Sequence, residues 1–260
     1  MKLSAPIHVL KGQAQLLRKE KSISNTDALN IIAKREGYNS WSLLHSEHRD
    51  GFPSLYDGIL DYFNPGDLVL IGSRPGMGKT VFTIGLFVQA ILKKAAKNYC
   101  FSLSEVHKDI AKRMAIYDES LGSQNQFFEL DYSNDISANY IINKTKKDIS
   151  KGSVIVIDYL QMLDEKRVNP SLQEQIEVLK NYAKEKGCII LFISQLQREV
   201  ENKKPTIDDV RLPNPLDLKL FNKLLLLFKP QKDSDNVEVI FNRPKEFSFS
   251  VKWDSSLKFY

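Results

Sequence analysis

Hydrophobic positions along the chain follow two patterns. Over the first fifty residues they recur at helical spacing. Val9, Leu10, Leu16 and Leu17 lie on the apolar side of a helix that Pro6 can start and that runs to about Glu20. Asn25 and Thr26 offer caps to a second helix, DALNIIAKRE, closed at Gly37. Asn39 or Ser40 caps a third, SWSLLHSEH, which carries Trp41 and Leu44. The stretch RDGFPS is polar and rich in turn formers, and reads as a joint. Beyond it, short continuous apolar runs alternate with helical patterns. DLVLIG precedes a helix from Lys79 to about Lys94, YCFSLS one from about Val106, and SVIVID one from about Leu172 to Lys186; CIILFIS and KLLLLF follow. Runs of that kind mark strands buried on both faces of a helix-covered parallel sheet, the α/β doubly wound class. The end differs: NVEVIFN and EFSFSVKW alternate, with Phe247, Phe249, Val251 and Trp253 on one face, which predicts an antiparallel hairpin at the sheet edge. The organisation expected is a small helical segment over residues 1–50 and an α/β domain over 51–260.

Composition changes this picture little. The net charge of +5 is too mild an excess to identify a polyanionic partner by itself. Cys100 and Cys188 both sit in apolar runs, where a free thiol behaves as a small hydrophobe, and this fits a reducing, cytoplasmic setting. The longest apolar runs fall far short of the roughly 20 residues that span a bilayer, so no membrane association is expected.

The candidate chemistry begins at GSRPGMGKT, residues 72–80. A strand, a glycine-bearing loop and an amphipathic helix follow one another here, the order that a phosphate site requires. Ser73, Arg74, Pro75, Gly76, Met77, Gly78, Lys79 and Thr80 form the expected nucleotide-binding loop. Gly76 and Gly78 admit the phosphates to the backbone, N–H groups at the helix start supply positive potential, Lys79 reaches the β and γ phosphates, and Thr80 ligates Mg²⁺. Ser73 stands where the G-x-x-x-x-G-K-[ST] pattern has its first glycine, and Gly72, one position earlier, is placed to relieve the turn. Asp158 ends the run SVIVID at the edge of the sheet where ligands of α/β folds bind. Alone it reads as a cap or turn residue; paired with the loop it becomes a second metal ligand.

GDLVLIGSRPGMGKT, FSLSEV, IVIDYLQML and ISQLQREV stand in the order and at about the spacing of the motifs of DnaB-type replicative helicases, and the chain resembles that family from about Gly66 to its C-terminus. The resemblance implies a RecA-like fold, with a mostly parallel sheet flanked by helices and a C-terminal β-hairpin. It implies an ATP- and Mg²⁺-dependent ATPase acting on single-stranded DNA as a homo-oligomer, such as a ring. That family commonly has a small residue where Ser73 stands. Gln195, in SQLQR, matches the polar residue that senses the γ phosphate. Arg243 and Lys245, in NRPK, match the basic finger that reaches a neighbour's nucleotide, where a cation stabilises charge on the γ-phosphoryl oxygens.

Three departures from the family pattern bear on mechanism. The catalytic carboxylate of the family follows FSL directly; here Ser104 holds that position and Glu105 is next to it. Adjacent side chains of a strand face opposite ways, so Glu105 acts as the catalytic base only where the strand has ended or bulged. The fifty-residue helical segment does not resemble the family's collar domain. RLPNPLDLKLFNK replaces the acidic, glycine-containing stretch of the family. Lys166, Arg167, Arg198, Lys203 and Lys204 fall in loops after the strands that carry the motifs, either lining a channel for a phosphate backbone or serving as ordinary solvated loop charge. Two further readings stay open. One is a nucleotide-gated switch or adaptor with little hydrolysis, using the N-terminal helices to bind a partner. The other is a small-molecule kinase, against which DYLQ and SQLQR argue.

Overall fold

The computed structural model describes residue 4 and residues 7–47, 55–93, 96–103, 107–117, 121, 126–164, 169–197, 203–212, 214–230 and 234–252. Its contacts divide the chain into two compact units, residues 1–55 and 56–259. The expected joint, RDGFPS, lies outside the described residues.

The first unit is three helices: α1 (Ile7–Lys21), α2 (Asn25–Arg35) and α3 (Trp41–Glu47). Leu10, Ala14, Leu17, Ala28, Ile32, Ala33, Tyr38 and Leu44 form its core. Leu16 is 69% exposed, contrary to the side assigned to it. Leu10, Ala14 and Leu17 follow the i, i+4, i+7 stripe, and a residue next to Leu17 is turned about 100° from it. The cap of α2 is Ser24, not Asn25 or Thr26: its side chain accepts from the Asp27 N–H at 3.1 Å. Ser40 caps α3 by accepting from the Leu43 N–H.

The second unit is an α/β sheet domain. Its elements are α4 (Leu55–Asp61), β1 (Leu68–Ser73), α5 (Lys79–Leu92), β2 (Asn98–Ser102), α6 (His107–Tyr117), β3 (Phe128–Asp131), α7 (Ala138–Thr145), β4 (Val154–Asp158), α8 (Leu172–Lys186), β5 (Ile189–Gln195), β6 (Lys223–Phe228), β7 (Asn236–Arg243) and β8 (Phe247–Lys252). The eight strands are ordered β3-β2-β4-β5-β1-β6-β7-β8. The first six are parallel, and β7 and β8 close the sheet as the expected antiparallel hairpin. β1, β4, β5 and β6 are the continuous apolar runs of the sequence, because helices cover both faces.

Strand alternation assigns the faces. Leu68, Leu70, Phe101, Ile155, Ile157, Ile190, Phe192, Leu224 and Leu226 pack with Ile141 of α7 and with Leu172, Ile176 and Leu179 of α8. The residues between them face the other way, where α5 lies against β1, β2, β4 and β5. α8 begins at a capping box between Ser171 and Glu174 and ends at Gly187, whose φ is +67°.

Candidate phosphate-loop site

β1 runs through the position where the loop pattern has its first glycine. Ser73 is fully buried in the strand, opposite Gln195 of β5 and Leu227 of β6. Its φ is not in the left-handed region, and its hydroxyl donates to the Arg74 carbonyl at 2.9 Å. A side chain is therefore tolerated at this point. Gly72 does not relieve a turn: it too is a strand residue, on the α8 face. A Cβ there would lie 2.9 Å from Leu226 Cδ2 and 3.1 Å from Leu196 Cδ2, so packing is what requires glycine.

The turn itself falls on Gly76 (φ +76°) and Gly78 (φ +81°), conformations that cost an L-residue roughly 1–2 kcal/mol. The Met77 N–H donates to the Arg74 carbonyl and closes the loop. α5 then starts at Lys79 behind Gly78, with no side-chain cap. Among the described residues, the N–H groups of Gly76, Gly78, Lys79 and Thr80 find no backbone acceptor. Open space surrounds the Cα of Gly76. Uncapped donors converging at a helix start with room before them fit a phosphate group.

Register brings the remaining residues to the same edge and face. In these parallel pairings Ser102 stands beside Asp158, Asp158 beside Ile193, Ile193 beside Ile71, and Gln195 beside Ser73. All of them alternate onto the α5 side. Burial lowers the pKa of the Lys79 ammonium, and the Asp158 carboxylate, pulling the other way, offsets part of that cost. The Thr80 hydroxyl and the Asp158 carboxylate suit Mg²⁺, which takes one or two protein ligands and keeps its remaining positions for phosphate and water. No cluster of three metal-ligating side chains exists among the described residues. Ser102 did not stand out in the sequence; its place as the last residue of a buried strand beside the Asp158 strand is the signal for it.

The other candidates are distributed differently. Ser104 and Glu105 lie outside the described residues, as do Lys166, Arg167 and Arg198. Arg243, at the end of β7, donates from Nη1 to the Leu218 carbonyl at 3.1 Å and the Phe221 carbonyl at 3.3 Å. Its partner in register is Leu224, which puts it on the α8 side. Lys245 is exposed on the β7–β8 turn. Lys204 is paired with Glu238 at 2.7 Å, and Lys203 is exposed. No helix among the described residues is long and apolar enough to cross a membrane. Cys100 and Cys188 are both free and buried, and burial pushes the Cys188 thiol up to about 12.

A loop turned by two glycines between a central parallel strand and an uncapped helix, with a carboxylate two strands away, is the hallmark of phosphate-loop proteins, and the strand order with its C-terminal hairpin makes this one RecA-like. Residues 49–127 and 127–214 match the DnaB-like helicase C terminal domain, and the chain belongs to that family. The Probable replicative DNA helicase of Trieres chinensis is 26% identical over 256 residues, covering 85% of this chain and 56% of the relative. Replicative DNA helicase DnaB of Mycoplasma genitalium is 29% identical over 207 residues, covering 65% of this chain and 44% of the relative. The chain thus spans about half the length of the curated relatives it matches. Among solved structures, one of an isolated ATPase domain superposes with a TM-score of 0.63 at 22% identity, over 84% of this chain and 95% of that one. A DnaB-like replicative helicase studied for its interactions with primase superposes with a TM-score of 0.64 at 18% identity, over 97% of this chain and 75% of that one.

Proposed function

We propose that this chain binds ATP with Mg²⁺ at the 73–80 loop and uses it, as an oligomeric DnaB-like motor, on single-stranded DNA in the cytoplasm. One observation carries the reading: the uncapped start of α5, Lys79, Asp158 and Gln195 meet on one face of one sheet edge. Bound Mg–ATP supplies the phosphoanhydride bond whose hydrolysis drives the motor. Gly76 and Gly78 hold the loop open, and the N–H groups up to Thr80 receive the phosphate oxygens. Lys79, already desolvated, contributes a charge that strengthens when an anion replaces missing water. Thr80 and Asp158 hold Mg²⁺, and Gln195 senses the γ phosphate. Glu105 serves as the base that orients the attacking water. Lys245, exposed on its turn, is the cation that reaches a neighbouring subunit, and Arg243 braces that turn from within. Head-to-tail contacts that close by rotation would make the ring. Residues 1–50 form a separate helical domain that binds a partner or a neighbouring subunit, and residues 51–260 form the ATPase domain.

A second reading is a nucleotide-gated switch with little turnover. Ser104 at the family's carboxylate position favours it, because losing a general base costs about 10²–10⁴ in rate. The deciding experiment measures Mg²⁺-dependent ATP turnover by the wild type, Lys79→Ala and Glu105→Ala, each with and without single-stranded DNA. DNA-stimulated turnover abolished by both changes supports the motor with Glu105 as base. ATP binding that depends on Lys79 without DNA-stimulated turnover refutes the motor and leaves the switch.

A further inference from the structure

β5 ends in two neighbours that face opposite ways. Gln195 lies on the phosphate side of the sheet and Ser194 on the α8 side. A ladder of backbone bonds runs through this tip. The Leu196 N–H donates to the Ser73 carbonyl at 3.1 Å, the Arg211 N–H to the Gln195 carbonyl at 2.8 Å, and the Gln197 N–H to the Asp209 carbonyl at 2.8 Å, with Leu196 and Val210 bridged antiparallel. The phosphate loop, the β5 tip and the segment 203–212 are thereby one hydrogen-bonded strip.

Gln161 closes this strip from behind. It sits in the short 3-10 turn Leu160–Asp164 that follows Asp158. Its Nε2 donates to the Arg211 carbonyl at 2.8 Å and to the Ser194 hydroxyl at 3.3 Å. A carbonyl only accepts, so the amide nitrogen must be the atom facing Arg211. Oε1 is buried and receives no hydrogen bond from the described residues. An unmet buried acceptor opposes stability. The amide is therefore poorly explained as a stabiliser and better explained by what it connects: the turn behind one phosphate-side residue, Asp158, with the backbone that fixes another, Gln195.

We infer that Gln161 is a positioning residue that locks the β5 tip to segment 203–212, so that nucleotide at the loop and single-stranded DNA at that segment each change the affinity for the other. The inference rests on the motor reading of the same site. Leu or Met at 161 supplies no donor, Glu faces the Arg211 carbonyl with an acceptor, and Asn is one methylene too short to reach both partners.

The test measures the Kd of a fluorescent non-hydrolysable ATP analogue with and without a dT20 oligonucleotide, for the full chain and for Gln161→Met, Gln161→Glu and Ser194→Ala. The ratio of the two values is the coupling, and it is reciprocal by thermodynamic linkage. Both Gln161 substitutions should bring the wild-type ratio at least about fivefold closer to one. Ser194→Ala, which removes only the longer bond, should change it less. Melting temperature is the control, since a merely structural role lowers it and shifts both Kd values together, leaving the ratio intact; that pattern overturns the inference. A wild-type ratio away from one that Gln161→Met and Gln161→Glu both preserve overturns the inference alone. A wild-type ratio of one overturns the DNA reading as well.

Discussion

Replacing Lys79 with methionine separates what this side chain costs the fold from what it contributes to binding. Its pKa in the folded chain is lowered, with desolvation the larger cause and Asp158 the smaller, opposing one. A lysine whose folded pKa lies below its unfolded value destabilises the fold when charged. That cost is present in full below the folded pKa and disappears as pH rises towards the unfolded one. At neutral pH, therefore, Lys79→Met removes a net penalty while keeping most of the side-chain volume, and the unliganded melting temperature should hold or rise. Binding should move the other way. A hydrogen bond to a charged group contributes about 1.5–3 kcal/mol, so nucleotide affinity should fall roughly 10- to 150-fold. Thermal shift with Mg–ATP reads both effects. At a ligand concentration of 100 Kd the wild type gains about 2.7 kcal/mol, and a variant binding a hundredfold more weakly gains only ~0.4 kcal/mol. For a domain of about 200 residues the wild-type gain is a shift of roughly 5–11 °C. A Lys79→Met chain that melts well below the wild type without ligand, or that keeps its affinity within about threefold, refutes the reasoning.

Because phosphate binding favours the Lys79 ammonium, nucleotide affinity should weaken as pH rises through the lowered Lys79 pKa, starting below the ordinary lysine value of 10.5; titrations across the alkaline range would show this limb, and Lys79→Met should lack it. Gly72→Ala should cost about 1–3 kcal/mol of stability, since its Cβ would meet Leu226 and Leu196 at 2.9 and 3.1 Å, whereas Ser73→Gly should leave nucleotide binding intact; denaturant melts and titrations would check the pair. Arg243→Ala should destabilise by about 1.5–3 kcal/mol through loss of its bonds to the Leu218 and Phe221 carbonyls, and Lys245→Ala by under ~0.5 kcal/mol, with equilibrium unfolding as the readout.

What was legible in the sequence follows from what generates a pattern. Strands buried on both faces must be apolar throughout, so β1, β4, β5 and β6 could be read directly, and the alternation of β8 gave away its half-exposed position. β3, α4 and α7 were not legible. β3 is four residues long and carries Glu129 and Asp131, because at the sheet edge both carboxylates have cation partners: Lys144 reaches each of them, and Lys97 reaches Glu129 as well. Four residues set no period, and two acids hide the strand. α4 and α7 are seven and eight residues, close to two turns each, which is too short for a stripe. Ser24, by contrast, was readable: Ser-Asn-Thr-Asp has the spacing at which a serine reaches the third N–H of a helix.

The phosphate loop shows why a motif is best read as a set of separate physical demands. Its glycines serve different ends. Gly76 and Gly78 meet a demand on backbone conformation, visible in their positive φ, and substitution there strains the turn even where space is open. Gly72 meets a demand on volume, set by two leucines on the far face of the sheet, and no feature of the loop itself reveals it. Position 73 makes neither demand. β1 continues through it in ordinary strand geometry, and alternation turns its side chain towards α5, where a hydroxyl finds the Arg74 carbonyl. A departure from the pattern at Ser73 is therefore neutral to the cradle. The departure at Ser104 is of another kind, since a hydroxyl cannot take the place of a carboxylate as base. Turnover measured on Glu105→Ala reads that difference, because it reports on the base while the loop and its affinity for nucleotide are left in place.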